Sequence, residues 1–155
     1  MALMQENPMT EDLALLFQRH AEDMHADTPP ESIHMLPRRA LVDPAIAFFV
    51  LREAGRPVAM GAVKVVEPGH GEIKSMHVLA EERGRGLSAQ MLCALIAHAR
   101  AQGLTRLSLE TGSQAMFLPA RRLYEKAGFR ECPPFVGYAL DPMSVFMTLS
   151  LSETA

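Results

Sequence analysis

The sequence predicts an α/β fold of the α+β kind, one domain with a central mixed sheet and helices on both of its faces. Three observations carry that reading. β-rich and helix-periodic segments alternate along the chain without an internal repeat or low-complexity tract. Two consecutive β-rich runs are joined by a short turn of hairpin composition. No linker divides the 155 residues, a length near the commonest size for one domain. A domain of that size buries roughly 70% of its unfolded surface, so it needs neither disulfide nor metal to hold it.

The elements follow in order. A short strand precedes Thr10, which suits a helix N-cap, and Glu11 and Asp12 suit the positive helix start. Leu13, Leu16, Phe17, Ala21 and Met24 then recur at helical spacing. His20 and His25 flank Glu22 and Asp23, but a spacing of five sets them on different helix faces, so no metal site is expected. From Ala26 to Pro44 four prolines mark a long connection with a short helical turn, a kind of loop that is more often functional than idle. Ala45 to Arg52 and Val58 to Val66 are strands joined by Glu53-Ala54-Gly55-Arg56-Pro57, and a third strand runs from Glu72 to Val78.

The Gly-rich stretch Glu82-Arg83-Gly84-Arg85-Gly86 opens directly into a helix. That helix carries Leu87, Met91, Leu92, Leu95, Ile96 and Ala99 on one face and ends near Gly103. Leu104 to Glu110 is a strand, and Pro119 to Ala127 is a helix stopped at Gly128. The chain turns extended again at Phe129. Ser144 to Leu151 is a final apolar strand, expected at a sheet edge, where it would invite a second copy to pair and form a homodimer.

Composition excludes several functions. Net charge is −3 at pH 7, and no basic run is longer than Arg38-Arg39. A nucleic-acid partner is therefore not expected, because phosphates need a basic stripe. Cys93 and Cys132 supply neither a disulfide framework nor a zinc site. Cys93 lies in the apolar run Met91 to Leu95, which predicts a buried thiol and fits a reduced, cytoplasmic location. The N-terminus lacks the basic-then-apolar order of a signal peptide. The longest apolar run, Ala45 to Leu51, is too short to span a bilayer, so no membrane partner is expected.

Arg83-Gly84-Arg85-Gly86, set between a strand and a helix, is an anion cradle. Its glycines admit close approach of the backbone, and the free N–H groups of the helix start point at a phosphate. The two arginines add charge-assisted bonds to the same kind of group. No Gly-Lys-Ser or Gly-Lys-Thr follows, so this is not a Walker loop. The dinucleotide fingerprint is excluded too, because its third glycine is missing and the preceding strands read as a hairpin.

The run Glu72 to Val78, this turn, and Leu123-Tyr124-Glu125-Lys126-Ala127-Gly128-Phe129 occur in that order. Together they closely resemble the GNAT superfamily of N-acetyltransferases. The resemblance extends from the helix after Thr10 to the last strand. Glu110-Thr111-Gly112-Ser113 and the tail from Pro134 to Met147 resemble a bacterial subgroup of the superfamily. It implies one domain over residues 1–155, a mostly antiparallel sheet flanked by helices on both sides, and acetyl-CoA as co-substrate with no metal.

Residue by residue, the resemblance implies that the backbone of Met76, His77 and Val78 binds the pantetheine arm. Arg83, Gly84, Arg85, Gly86, Leu87 and Ser88 match the pyrophosphate loop and first helix turn. Tyr124 matches the tyrosine near the CoA sulfur that serves as general acid. Glu72 matches the carboxylate that serves as base in some members, and Glu110, at the end of another strand, is the rival base. Phe117 and Ala120 match positions beside pantetheine, although Phe117 replaces the usual Asn. Glu81 stands where Gln or Arg is usual and is expected to point away from the phosphates. His34 and His25 flank the proline-rich loop, where the superfamily forms its acceptor site.

The chemistry explains these residue types. A neutral-pH amine is mostly protonated, so a base must take a proton before it attacks the thioester. The tetrahedral intermediate needs a donor, and an N–H freed by a strand bulge near Met76 to Val78 would serve. Three functions remain open: transfer to a small-molecule amine, transfer to a protein lysine or N-terminus, and CoA sensing without catalysis. Having both Glu72 and Tyr124 favours an enzyme. The mild acidity, spread along the chain, favours a small acceptor over basic protein tails.

Overall fold

Strand β1 (Ala2–Gln5) leads into helix α1 (Ala14–Ala26), and the computed structural model describes residues 1–152 of the chain. The last three residues of the expected domain lie outside the described residues. Thr10 does not cap α1 with its side chain: its hydroxyl donates to the Asn7 carbonyl at 2.7 Å, and a single 3-10 turn, Glu11–Leu13, precedes the helix. The long connection carries two more such turns, Pro30–Ser32 and Arg38–Leu41.

β2 (Ile46–Glu53) and β3 (Arg56–Glu67) form a tighter hairpin than the composition suggested. Its turn is Ala54-Gly55, both with positive φ, which matches the right-handed twist of the flanking strands. β4 (His70–Val78), α2 (Leu87–Ala101), β5 (Arg106–Gly112), α3 (Leu118–Lys126), β6 (Arg130–Glu131) and β7 (Ser144–Ser150) complete the order. The seven strands form one sheet in the order β1-β2-β3-β4-β5-β7-β6. Every neighbouring pair is antiparallel except β4 and β5.

Side-chain alternation on β3 divides the core in two. Met60 and Ala62 face a layer made by Leu13, Leu16 and Leu41, whereas Ala59 and Val63 face Met91, Leu92 and Leu95 of α2. Each fully buried large aliphatic side chain contributes about 1.5–3 kcal/mol. Between them Gly61 lets α2 sit close to the sheet. A Cβ there would meet Leu95 at 3.0 Å and Met91 at 3.1 Å.

Two expectations are corrected. β7 is not the edge strand: it pairs over its whole length with β5, and β6 lies on its other side, pairing at Met147 and Thr148. The chain crosses over through α3 before returning, and local apolar pattern carries no information about that order. Cys93 is exposed rather than buried. It falls between the stripe positions Met91–Leu92 and Leu95–Ile96 that α2 turns to the core.

Candidate active site

β4 and β5 pair only from His70 to Glu72 and from Arg106 to Ser108. Both strands run on without each other, β4 to Val78 and β5 to Gly112, and a cleft of about 570 Å³ opens between them. The closed end is pinned by a buried polar chain in which His70 Nε2 meets Ser108 Oγ at 2.6 Å and Ser108 Oγ meets Thr148 Oγ1 at 2.8 Å. On its other edge β4 carries a bulge. Ala62 pairs with Lys74 and Met60 with His77, so Ser75 and Met76 together oppose Gly61, and Ser75 adopts φ 55°. The bulge therefore lies at Ser75–Met76, at the start of the expected Met76 to Val78 stretch, and it bends the strand where the ladder opens.

The glycine turn closes one end of the cleft. Gly84 and Gly86 have φ of 81° and 79°, and nothing lies within 4 Å of where a Cβ would stand on either. The first bond that helix α2 makes to the turn runs from the Gln90 N–H to the Gly86 carbonyl, so the N–H groups of Leu87, Ser88 and Ala89 have no partner within the helix. That is an open, donor-lined cradle for an anion.

The arginines are arranged differently from expectation. Arg83 donates to the Val78 carbonyl at 3.2 Å and to Asp23 Oδ2 at 2.9 Å. Arg85 bonds Glu82 at 2.6 Å and also pairs with Glu53, and it is absent from the residues lining the cleft. Neighbouring carboxylates thus pair with both guanidiniums. Glu81 turns toward α1 and pairs with Arg19 at 3.1 Å.

Met76, His77, Val78, Arg83, Gly84, Gly86, Leu87, Ser88, Phe117, Ala120, Glu72 and Tyr124 all line this one cleft. His77 is buried and packs edge-on against His20, with ring centroids 5.2 Å apart and its Nδ1 3.9 Å from Asp23. Burial lowers the pKa of both histidines to about 4, so both are neutral at pH 7. Tyr124 is buried on α3, its hydroxyl 3.9 Å from the Met76 sulfur. Burial, and then the charge of Glu110, push its pKa up to about 12. Arg121 ties α3 to the end of β5 by donating to the Gly112 carbonyl at 2.6 Å.

The two candidate bases sit in unlike surroundings. Glu72 is 4% exposed and already engaged: Oε2 accepts from Lys74 Nζ at 3.1 Å and from the Tyr138 hydroxyl at 2.5 Å. Lys74 Nζ also donates to the His34 carbonyl at 3.2 Å. Glu110 is half-buried on β5, and burial raises its pKa above the ordinary carboxylate value. His34 lines the cleft, whereas His25 does not.

Tyr138 is the residue that motif reading left without a role. It lies in a loop with no strand or helix period, and Phe135 and Phe146 pack around it at centroid distances of 5.0 and 5.3 Å. Beneath it a second cavity of about 450 Å³ is lined by His34, Glu72 and Lys74, shared with the cleft, and by Lys64 and Tyr138. Among the described residues no helix is long and apolar enough to cross a membrane.

Comparison with known proteins agrees with this geometry. Residues 10–129 match the profile of the acetyltransferase (GNAT) family. The uncharacterized N-acetyltransferase YsnE of Bacillus subtilis is 46% identical over 136 residues, covering 88% of this chain and 90% of that protein. A solved Klebsiella pneumoniae structure, described as an acyl-CoA N-acyltransferase, superposes with a TM-score of 0.78 at 29% identity and 97% coverage of both chains. YncA of Salmonella typhimurium, solved with its cofactor acetyl-CoA, shares the fold at a TM-score of 0.72 and 19% identity, covering 100% of this chain and 96% of that one. With a divided sheet, a donor-lined glycine turn and a profile match over most of its length, the chain belongs to the GNAT acetyltransferase family.

Proposed function

We propose that the enzyme moves the acetyl group of acetyl-CoA directly onto the primary amine of a small molecule. The observation that carries this reading is the end of the β4–β5 ladder at Glu72 and Ser108, which leaves an unpaired backbone edge on β4 beside the glycine turn. Met76, His77 and Val78 offer that edge to the pantetheine arm. Gly84, Gly86 and the free N–H groups of Leu87 and Ser88 take the pyrophosphate, and Phe117 and Ala120 flank the arm from the α3 side. The open space at both glycines suits a bulky anion.

Proton transfer falls to Glu110 in this reading. Burial raises its pKa above the ordinary carboxylate value, the direction that makes a carboxylate a stronger base. Glu72, the other candidate, holds Tyr138 and Lys74 in place, because its buried carboxylate already accepts from both. The amine nitrogen gives its proton to Glu110 and bonds to the acetyl carbon, and an N–H at the Ser75–Met76 bulge faces the oxyanion. As the carbon–sulfur bond breaks, Tyr124 donates a hydrogen bond to the departing thiolate. With a pKa of about 12 its hydroxyl keeps its proton at neutral pH.

Val136, Gly137 and Tyr138 line an open groove of about 450 Å³ at the acceptor end, a volume that suits a small acceptor. A cytoplasmic location belongs to the same reading. So does a homodimer, for which β1 with its exposed Met4 is one free sheet edge. Two measurements test the proposal: thermal stabilisation by acetyl-CoA, and CoA-thiol release with a panel of small amines and lysine peptides. The expected result is stabilisation together with release driven by small amines. No stabilisation would sink the CoA site, and release with peptides alone would sink the small acceptor.

A further inference from the structure

The second cavity has a charge that the acetyl-transfer chemistry does not use. Lys64 lies opposite Glu72 in the β3–β4 ladder, and directly opposed side chains of an antiparallel pair share a face. Glu72 is already matched by Lys74 at 3.1 Å, and Lys64 makes no ion pair among the described residues. One ammonium is therefore left unbalanced at the cavity wall. Beside it the lining is apolar, with Met35, Val65, Val66 and Val136, and Val65 and Val136 are 42% and 47% exposed. His34, which lines both cavities, has a buried Nε2 without a hydrogen-bond partner.

Building on the proposed acetyl transfer, we infer that this cavity selects an acceptor amine that also carries a carboxylate and a small apolar side chain: an apolar amino acid. Its carboxylate meets Lys64, with His34 as a second donor, and its side chain rests on Val66 and Val136. Its amine points past Glu72 and Lys74, which line both spaces, toward the cleft and Glu110. Lys64 and Glu110 lie on strands two apart, about 10 Å across the sheet and two residues, about 7 Å, along it, a gap that the lysine and glutamate side chains narrow to the dimensions of such a molecule.

The test compares L-valine, L-leucine and L-methionine with the amines made by removing their carboxylates, using CoA-thiol release by the full chain. The amino acids are expected to have kcat/KM at least about 10-fold above their decarboxylated partners, the scale of one charge-assisted hydrogen bond. Lys64→Gln is expected to raise KM for the amino acids by about 10- to 100-fold while leaving KM for acetyl-CoA unchanged, and Lys64→Arg is expected to restore most of the loss. Lys64 is only partly buried, and circular dichroism of each variant separates misfolding from lost recognition. Equal use of amines with and without a carboxylate overturns the inference, as does a Lys64→Gln variant with unchanged preference. If acetyl-CoA binds but no amino acid is acetylated, this substrate class is wrong while the acetyltransferase reading stands. If acetyl-CoA does not bind, both fail.

Discussion

The hydroxyl of Tyr138 donates to the carboxylate of Glu72 at 2.5 Å, although 66 positions separate them in the chain. Together with Lys74, this bond holds a charged group in a place almost closed to water. Tyr138→Phe removes one partner of a buried carboxylate, a loss of about 1.5–3 kcal/mol for a bond to a charged group. Lys74→Met leaves the carboxylate without its counter-charge and is expected to cost more, about 3–5 kcal/mol. Urea denaturation of both variants and of the double variant measures the coupling. Additive losses would show that the two bonds act independently.

Glu110 provides a pH prediction. Its pKa is raised in the folded protein, so the rate is expected to climb with pH through a value above the ordinary 4.5 of a glutamate. Glu110→Gln is expected to erase that acidic limb, and Glu72→Gln to leave it in place with a lower plateau. The stability sign runs the other way. The folded state holds the Glu110 proton more tightly than the unfolded chain, so its ionisation costs stability as pH rises. Glu110→Gln therefore stabilises the protein at pH 8 and has no such effect below pH 4.5. A limb that survives Glu110→Gln and disappears in Glu72→Gln reverses the assignment.

Tyr124→Phe keeps the ring packed against Phe129, at a centroid distance of 5.9 Å, and removes only the hydroxyl. Turnover is expected to fall by roughly 10- to 1000-fold, with the dissociation constant of acetyl-CoA nearly unchanged. Stopped-flow thiol release and calorimetric titration separate the two quantities. Unchanged turnover would leave Tyr124 a packing residue.

The pair of His20 and His77 makes the fold acid-sensitive. Both have folded pKa values near 4 against 6.5 in the unfolded chain. The unfolded state takes up protons first, so stability is lost as pH falls from 6.5 toward 4, on the order of 3 kcal/mol for each histidine. Denaturation midpoints across that window are expected to drop steeply, and less so in His20→Leu. A flat profile in the unmutated protein would show that the pair charges freely when folded.

Gly86 begins helix α2 with φ 79°. Gly86→Val strains that backbone by about 1–2 kcal/mol. It also puts side-chain atoms into the open space before the helix, where no protein atom stands within 4 Å of the Cβ position. At acetyl-CoA one hundred times its dissociation constant, the unmutated protein gains about 2.7 kcal/mol. The variant is expected to lose most of that gain. Stabilisation equal to that of the parent would move the phosphate elsewhere.

Much of this architecture is written in local pattern. The six longest strands and three helices all stand where periodicity, the hairpin composition and the stops at Gly103 and Gly128 placed them, with ends shifted by a few residues. The cleft lining was legible as well, because the glycine turn and Tyr124 sit in short motifs. What escaped depends on distant partners. The inner position of β7 follows from a crossover, which leaves no mark on its own seven residues. Arg83 and Arg85 found carboxylates on α1 and at the β2–β3 turn, and nothing near them in the chain announces Asp23 or Glu53. Tyr138 reaches Glu72 from a loop that has no period to read. Cys93 was misjudged because an unbroken apolar run in a helix overfills the stripe that faces inward.

The brief pairing of β4 with β5 has a mechanical consequence. Among the described residues the β4–β5 ladder that stitches the meander β1–β4 to the β5–β7–β6 half is three pairs long, extended only by the Gly69 carbonyl, which accepts from the Thr105 and Arg106 N–H groups at 2.8 and 3.1 Å. The sheet therefore behaves as two stiff plates hinged along a short line. A molecule lying across both plates adds the cross-ties that the backbone lacks. Amide exchange at Ile73 to Val78 and at Leu109 to Gly112 then becomes a gauge of how firmly the plates are clamped, slowing when the gap is bridged while the far margin at β1 keeps its pace.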